Sequence, residues 1–222
     1  MQPDEAQNDL QAVIFDLDGV LCATEELHYR SWEQALARYH LPFSRWENER
    51  LRGLTRFESL RTLLGGRPLP QDWFDDILEH KGRYYVELLD ELTPSDLAPG
   101  VNRLLRELRA AGLKIGVASS SRLVLPVLER LDVLAWMDAV VDGGQVARSK
   151  PAPDSYLKAA AALDLPPAGC IAVEDSPAGI TAAHAAGMRV IGLGPPDRVG
   201  AADAVFPDLS GVQLADLQSA GR

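Results

Sequence analysis

Two pairs of carboxylates stand out in the 222-residue chain. Asp16 and Asp18 lie in Asp16-Leu17-Asp18-Gly19-Val20, at the end of the apolar run over residues 10–16, and Glu174 and Asp175 follow the run over 170–173. Like charges brought together cost energy unless a cation or phosphate chemistry uses them. Four hard oxygen donors are the set that suits Mg²⁺. Ser176 and Pro177 are explained by helix initiation alone, as N-cap and first helical residue, whereas the two acids before them are not. Ser119-Ser120-Ser121-Arg122 follows a third apolar run, 114–118. Hydroxyls and N–H groups at the start of a helix suit a phosphate, although simple capping would also account for serines there. Lys150 precedes Pro151, which turns the backbone of Lys150 away from helix. That suits a fixed cation aimed into a cleft, with a solvated surface lysine as the plain alternative.

The elements that must position these groups are legible in the hydrophobic pattern. Runs at 10–16, 114–118, 139–141, 170–173 and 189–193 read as short buried strands. Helical spacing at 101–111, 124–131, 155–163 and 178–186 separates them, with Gly112 and Gly187 as stops. This alternation implies an α/β fold, a doubly wound Rossmann-like parallel sheet covered on both faces, with ligands at the carboxyl ends of the strands. Residues 24–92 break the rhythm: helical patterns at 25–39, 56–64 and 71–89, and no strand. The expectation is an inserted helical cap domain at 24–92 on an α/β core domain made of 1–23 and 93–222, with Thr93-Pro94-Ser95-Asp96 as a hinge between them.

The net charge of −10 argues against a general nucleic-acid binder, and no apolar run reaches the ~18 residues of a membrane span. The first nine residues are acidic and polar and read as neither a secretory signal nor a transit peptide. Cys22 and Cys170 form no CxxC; they read as free thiols in a reducing cytoplasm.

Taken in order, Asp-x-Asp, Ser, Lys and Glu-Asp, each after a strand, resemble the haloacid dehalogenase superfamily over essentially the whole chain. More narrowly, VIFDLDGVL, TEELHYRSW, LRGLTRFESL, VASSSR, RSKPAPD and AVEDSPAGI resemble the β-phosphoglucomutase family. The resemblance implies Asp16 as the phosphoryl-accepting nucleophile and Asp18 as general acid and base. It implies Mg²⁺ on Asp16, the backbone carbonyl of Asp18 and Asp175, with Glu174 at or near its shell. Ser119 and Lys150 would hold the transferring group, with Ser120, Ser121 and Arg122 in the same seat. From the cap, Arg56 would clamp the non-transferring phosphate, Gly53, Leu54 and Thr55 would lie beside the sugar with Arg52 as a further substrate- or phosphate-binding residue, and His28, with Trp32 one turn on, would face Asp18 and the substrate.

The implied activity is a Mg²⁺-dependent phosphomutase interconverting β-D-glucose 1-phosphate and glucose 6-phosphate through an aspartyl-phosphate and a sugar bisphosphate. The alternative is a phosphatase of the same superfamily acting on a small sugar phosphate. A non-catalytic binding protein fits the intact acid set poorly. The expected partner is a small sugar phosphate, with no nucleic acid and no membrane, bound by a cytoplasmic monomer whose cap closes over the core. Two positions depart from the pattern: Arg52 stands in place of Lys, and Leu123 in place of Asn. On one helix face Arg52 and Arg56 would repel, so either Gly53 interrupts the helix or an anion joins them, with Glu49 and Glu58 as the neutralising alternative.

Overall fold

The computed structural model describes residues 10–220; the acidic N-terminal stretch read above as no leader lies outside the described residues. The chain enters through β1 (Ala12–Phe15). Its side chains alternate between two apolar layers, Val13 and Phe15 into one, Ala12 and Ile14 into the other, as a period of two requires when both sheet faces are covered. Four helices follow: α1 (Glu25–Ala37), α2 (Arg45–Glu49), α3 (Arg56–Leu64) and α4 (Gln71–Leu88). They enclose an apolar cluster of their own around Trp32, Leu36, Leu60, Phe74 and Ile77. Leu27 and the end of α4, Tyr85 and Leu88, instead join the larger cluster under the sheet. The inserted helices are thus rooted in the α/β layer at one end and built around an apolar cluster of their own at the other.

The alternation resumes with α5 (Val101–Ala110), β2 (Lys114–Ala118), α6 (Val124–Arg130), β3 (Ala139–Val141), α7 (Asp154–Ala162), β4 (Cys170–Glu174), α8 (Pro177–Ala185), β5 (Arg189–Leu193), α9 (Pro196–Val199), β6 (Ala204–Phe206) and α10 (Leu214–Ser219). All pairings are parallel and the strand order is β3-β2-β1-β4-β5-β6. The sheet is the doubly wound one that the pattern predicts. The elements not foreseen are α2, α9, α10 and the edge strand β6. Each is short: β6 has three residues, none fully buried, and α2 buries none of its five, so neither leaves an apolar period to read. Among the described residues no helix is long and apolar enough to cross a membrane, and both cysteines are free and buried.

Candidate active site

Register builds the floor of the site. Phe15 pairs with Val117 on one side and with Val173 on the other, so one residue further on Asp16 stands level with Ala118 and Glu174. Lys150, delivered by the loop before α7, is 1% exposed and joins all three. Its Nζ donates to Asp16 Oδ1 at 2.8 Å, to the Ala118 carbonyl at 3.0 Å and to Glu174 Oε1 at 2.5 Å. Burial alone would strip its proton, but the two carboxylates prevail and raise its pKa. The Lys150–Pro151 peptide is cis.

Glu174 is saturated. Tyr156 donates to its Oε1 at 2.7 Å, and the Asp175 and Ser176 N–H groups and the Ser176 hydroxyl donate to its Oε2 at 3.1, 3.3 and 3.1 Å. Asp16 is not: Lys150 takes Oδ1, and Oδ2 has no hydrogen bond among the described residues. Burial, with Glu174, Asp175 and Asp18 adding repulsion against the pull of Lys150, holds the Asp16 carboxyl well above the usual range. Burial and Glu174 likewise push Asp175 up to about 7, against the pull of Arg52.

Carboxylate oxygens of Asp16, Glu174 and Asp175 lie within 4.8 Å of one another. Three buried hard donors, two of them resisting ionisation because they are buried and face one another, form a set that fits Mg²⁺. The four-acid cluster expected from the sequence is therefore three. The Asp18 carboxylate turns away, because Thr24 Oγ1 and His28 Nε2 (3.3 Å) both hold its Oδ1. Gly19 makes the turn between these acids with φ +81°, and a Cβ there would meet Asp175 Oδ2 at 2.2 Å.

The Asp18 environment extends into the inserted helices. Lys81 on α4 reaches His28 Nδ1 at 3.0 Å and lies over the Tyr85 ring, 4.4 Å from its centroid. Because an ammonium only donates, His28 presents Nδ1 as acceptor and Nε2–H to Asp18. Burial and Lys81 lower the His28 pKa. Burial brings Lys81 itself down to about 7, with Asp18 pulling upward and Arg56 downward. Burial would raise Asp18, but His28, Thr24 and Lys81 outweigh it and bring its carboxyl to about 2. Thr24, Lys81 and Tyr156 were not anticipated. Lys81 lies more than fifty residues from His28 in sequence, and a lysine within an amphipathic helix gives no signal of this kind.

The cationic residues of the inserted helices divide. Arg52 precedes Gly53, whose φ of +75° ends the turn before α3 starts at Arg56. The interruption by Gly53 is therefore what occurs, and Arg52 and Arg56 share no helix face. Arg52 Nη1 donates to Asp175 Oδ2 at 2.6 Å and to Glu25 Oε1 at 2.9 Å, and its Nε and Nη2 donate to Glu49 at 2.8 and 3.1 Å. Burial works against this charge, but the three carboxylates hold it firmly protonated. Arg52 thus sits on the acidic wall rather than beside Arg56.

Arg56 has neither neutralising partner: Glu49 is taken by Arg52, and Glu58 caps α3 through Thr55. Its one side-chain hydrogen bond among the described residues is to the Leu78 carbonyl at 3.3 Å. Burial, with Arg122 adding like-charge repulsion, depresses its pKa. Arg122 makes no ion pair or side-chain hydrogen bond among the described residues.

The serine seat differs from the expected helix start, since α6 begins only at Val124. The Ser121 N–H donates to Ser119 Oγ at 3.1 Å and the Leu123 N–H to Ser121 Oγ at 3.2 Å, while Ser120 Oγ donates to the Gly53 carbonyl at 2.9 Å. Leu123 packs against the main apolar cluster, which gives this departure from Asn a structural use. Asp16, Asp18, His28, Trp32, Arg52, Gly53, Thr55, Arg56, Ser119, Ser120, Ser121, Arg122 and Asp175 all line one cleft of about 1030 Å³, with Lys150 and Glu174 buried beneath it.

Residues 10–187 match the haloacid dehalogenase-like hydrolase family. The chain belongs to that family. Among haloacid dehalogenase-like proteins it is 42% identical to the β-phosphoglucomutase of Bacillus subtilis over 209 residues, 92% of each chain. It is 32% identical to a phosphorylated carbohydrates phosphatase of Thermotoga maritima, over 83% of this chain and 85% of that one. A crystal structure of β-phosphoglucomutase from Clostridium difficile superposes with a TM-score of 0.89 at 32% identity, covering 94% of this chain and 96% of that chain.

Proposed function

We propose that this enzyme is a Mg²⁺-dependent phosphomutase that interconverts β-D-glucose 1-phosphate and glucose 6-phosphate through an aspartyl-phosphate at Asp16 and a sugar bisphosphate. The observation that carries this reading is Arg56, a cationic side chain of the inserted helices with no carboxylate partner among the described residues. A guanidinium held only by the Leu78 carbonyl and repelled by the like charge of Arg122 calls for an anion, and it lines the same cleft as Asp16. A phosphatase needs one phosphate seat, whereas a mutase passing through a bisphosphate needs two. The 42% identity to a β-phosphoglucomutase supports the same reading.

In this scheme Asp16 Oδ2, the oxygen that Lys150 leaves free, attacks phosphorus and splits one difficult transfer into two. Lys150 and Ser119 bind the oxygens of the moving group. Asp18 enters ionised, since its carboxyl lies near about 2. It takes the proton of the attacking sugar hydroxyl in one half-reaction and returns it to the leaving sugar oxygen in the other. Lys81 and His28 hold it in place. Asp16 and Asp175 would hold Mg²⁺ with Glu174 beside them, and the ion would supply charge compensation for the transferring group.

The division into a cap of residues 24–92 and a core of 1–23 and 93–222 belongs to this proposal, because the two seats lie on opposite sides of it. Incubation with β-glucose 1-phosphate, Mg²⁺ and a catalytic amount of glucose 1,6-bisphosphate should yield glucose 6-phosphate. Release of inorganic phosphate without glucose 6-phosphate would assign a sugar-phosphate phosphatase instead.

A further inference from the structure

Glu58 uses its two carboxylate oxygens on different parts of the molecule. Oε2 accepts from the Thr55 N–H at 3.0 Å and from Thr55 Oγ1 at 2.8 Å, and Thr55 Oγ1 accepts from the Glu58 N–H at 3.2 Å. This reciprocal pair is a capping box that fixes the first turn of α3. Oε1 takes no part in it. It accepts from Ser149 Oγ at 2.8 Å, ninety-one residues away, and Ser149 immediately precedes Lys150, the ammonium that grips Asp16. Arg56 is the residue after Thr55. One carboxylate therefore connects the seat of the transferring phosphoryl group to the cationic seat opposite. A second tie, from Ser120 Oγ to the Gly53 carbonyl at 2.9 Å, secures the other end of the same short segment.

We infer that the Glu58–Ser149 contact is a ruler that sets the distance between the two phosphate seats, making Glu58 and Ser149 positioning residues for substrate length. The inference rests on the two-seat reading above. A capping box is complete without a third partner, so helix stability gives no reason for Oε1 to reach across the cleft. Hydrogen bonds with an ionised acceptor are short and strongly directional, and small misplacements of a binding group are expensive in rate. A substrate anchored at both ends feels this spacing. A single-anion ester, held only by Lys150, Ser119 and Asp16, does not. Lys150 keeps its three other contacts without Ser149.

The test compares wild type, Ser149→Ala, Glu58→Ala and the double variant on β-glucose 1-phosphate and on p-nitrophenyl phosphate, with a melting curve for each. Ser149→Ala removes one hydroxyl and leaves the capping box whole. It should lower kcat/KM for the sugar phosphate about tenfold, mainly through KM, as loss of a charge-assisted hydrogen bond predicts, with aryl phosphate hydrolysis and melting temperature nearly unchanged. Glu58→Ala should melt earlier, yet its effect on the ratio of the two substrates should add nothing to that of Ser149→Ala in the double variant. Equal losses on both substrates, no loss in Ser149→Ala, or multiplying effects on the ratio would each overturn the inference. If wild type releases phosphate and forms no glucose 6-phosphate, the mutase reading fails by itself, and the ruler is then tested by the same ratios with glucose 1,6-bisphosphate, which carries two anions, in place of β-glucose 1-phosphate.

Discussion

The floor of the cleft and its roof hold charge in opposite ways. On the floor, Asp16, Glu174 and Lys150 emerge from neighbouring strand ends or the loop above them, are buried, and neutralise one another over 2.5 to 2.8 Å. On the roof, Lys81, His28 and Arg56 come from helices packed on a separate apolar cluster. Two of these bases are depressed by burial with little compensating charge, Lys81 to about 7 and His28 below its ordinary value. Among the described residues the Arg56 side chain has a backbone carbonyl as its one hydrogen-bond partner. The lysine of the floor is therefore matched before substrate arrives and the floor keeps an excess of carboxylate that suits a cation, whereas the roof carries unmatched positive charge that an anion would relieve. Arg52 is the exception that joins them: a roof residue whose guanidinium is fully matched, on the floor's Asp175.

The largest effect expected is on the floor. Asp16→Asn should lower phosphoryl transfer by about 10⁴-fold or more, as removal of a nucleophile does, with the fold intact. Steady-state rates and trapping with a metal fluoride check this, and substantial residual turnover would move the nucleophile elsewhere.

Lys150→Met removes the partner of two buried carboxylates. Breaking such a set costs about 3–5 kcal/mol, read as a lower urea midpoint at unchanged slope. A wild-type midpoint would mean that Lys150 is not matched by the floor's carboxylates.

On the roof the loss should depend on substrate instead. Arg56→Ala should cost about 2–5 kcal/mol in kcat/KM for the sugar phosphate and much less for p-nitrophenyl phosphate. Equal losses would make Arg56 structural and erase the contrast.

The roof's unmatched charge also predicts a pH dependence of stability. Lys81 titrates near 7 in the native protein and near 10.4 when unfolded. Below pH 7 both states hold the proton and the cost of the buried charge is complete. Between those values only the unfolded state binds it, so the native state gains up to about 1.4 kcal/mol per pH unit. Lys81→Met should flatten that slope in urea titrations from pH 7 to 10; an unchanged slope would assign it to other groups.

The smallest effect concerns the serine seat. Arg122→Ala should raise KM about tenfold, the cost of one charged hydrogen bond, and Leu123→Asn should restore part of it. A silent Arg122→Ala would leave Ser119 and the backbone as the whole seat.

Much of this was legible in the chain. Asp16, Ser119 and Glu174 were readable because each closes a short apolar run, and parallel strands in one sheet bring their carboxyl ends to one edge. The limits of α3, Arg56–Leu64, were readable from helical spacing that stops at Gly65, and the Thr55–Glu58 capping box is what fixes its start. The short pieces α2 and β6 were not readable, since neither buries enough to leave a pattern. The residues by themselves read as a four-acid cluster; that the Asp18 carboxylate faces His28 came only with the family resemblance, and its contact with Thr24 was not readable, because only the packing of α1 decides it.

The sequence by itself determined the order of the chemical groups, the strands that carry them and the helical insertion that follows the first strand. Those depend on local periodicity and on residues within a few positions of one another. Which arginine is neutralised and which is left for an anion, that Lys81 stands behind His28, and that Glu58 reaches Ser149 were decided only by tertiary structure. These contacts join residues 53 to 123 positions apart. A side chain's charge is written in the chain, but its partner is set by which elements pack together, and in a low-dielectric cleft a change of neighbour by a few ångströms reverses what that charge can do.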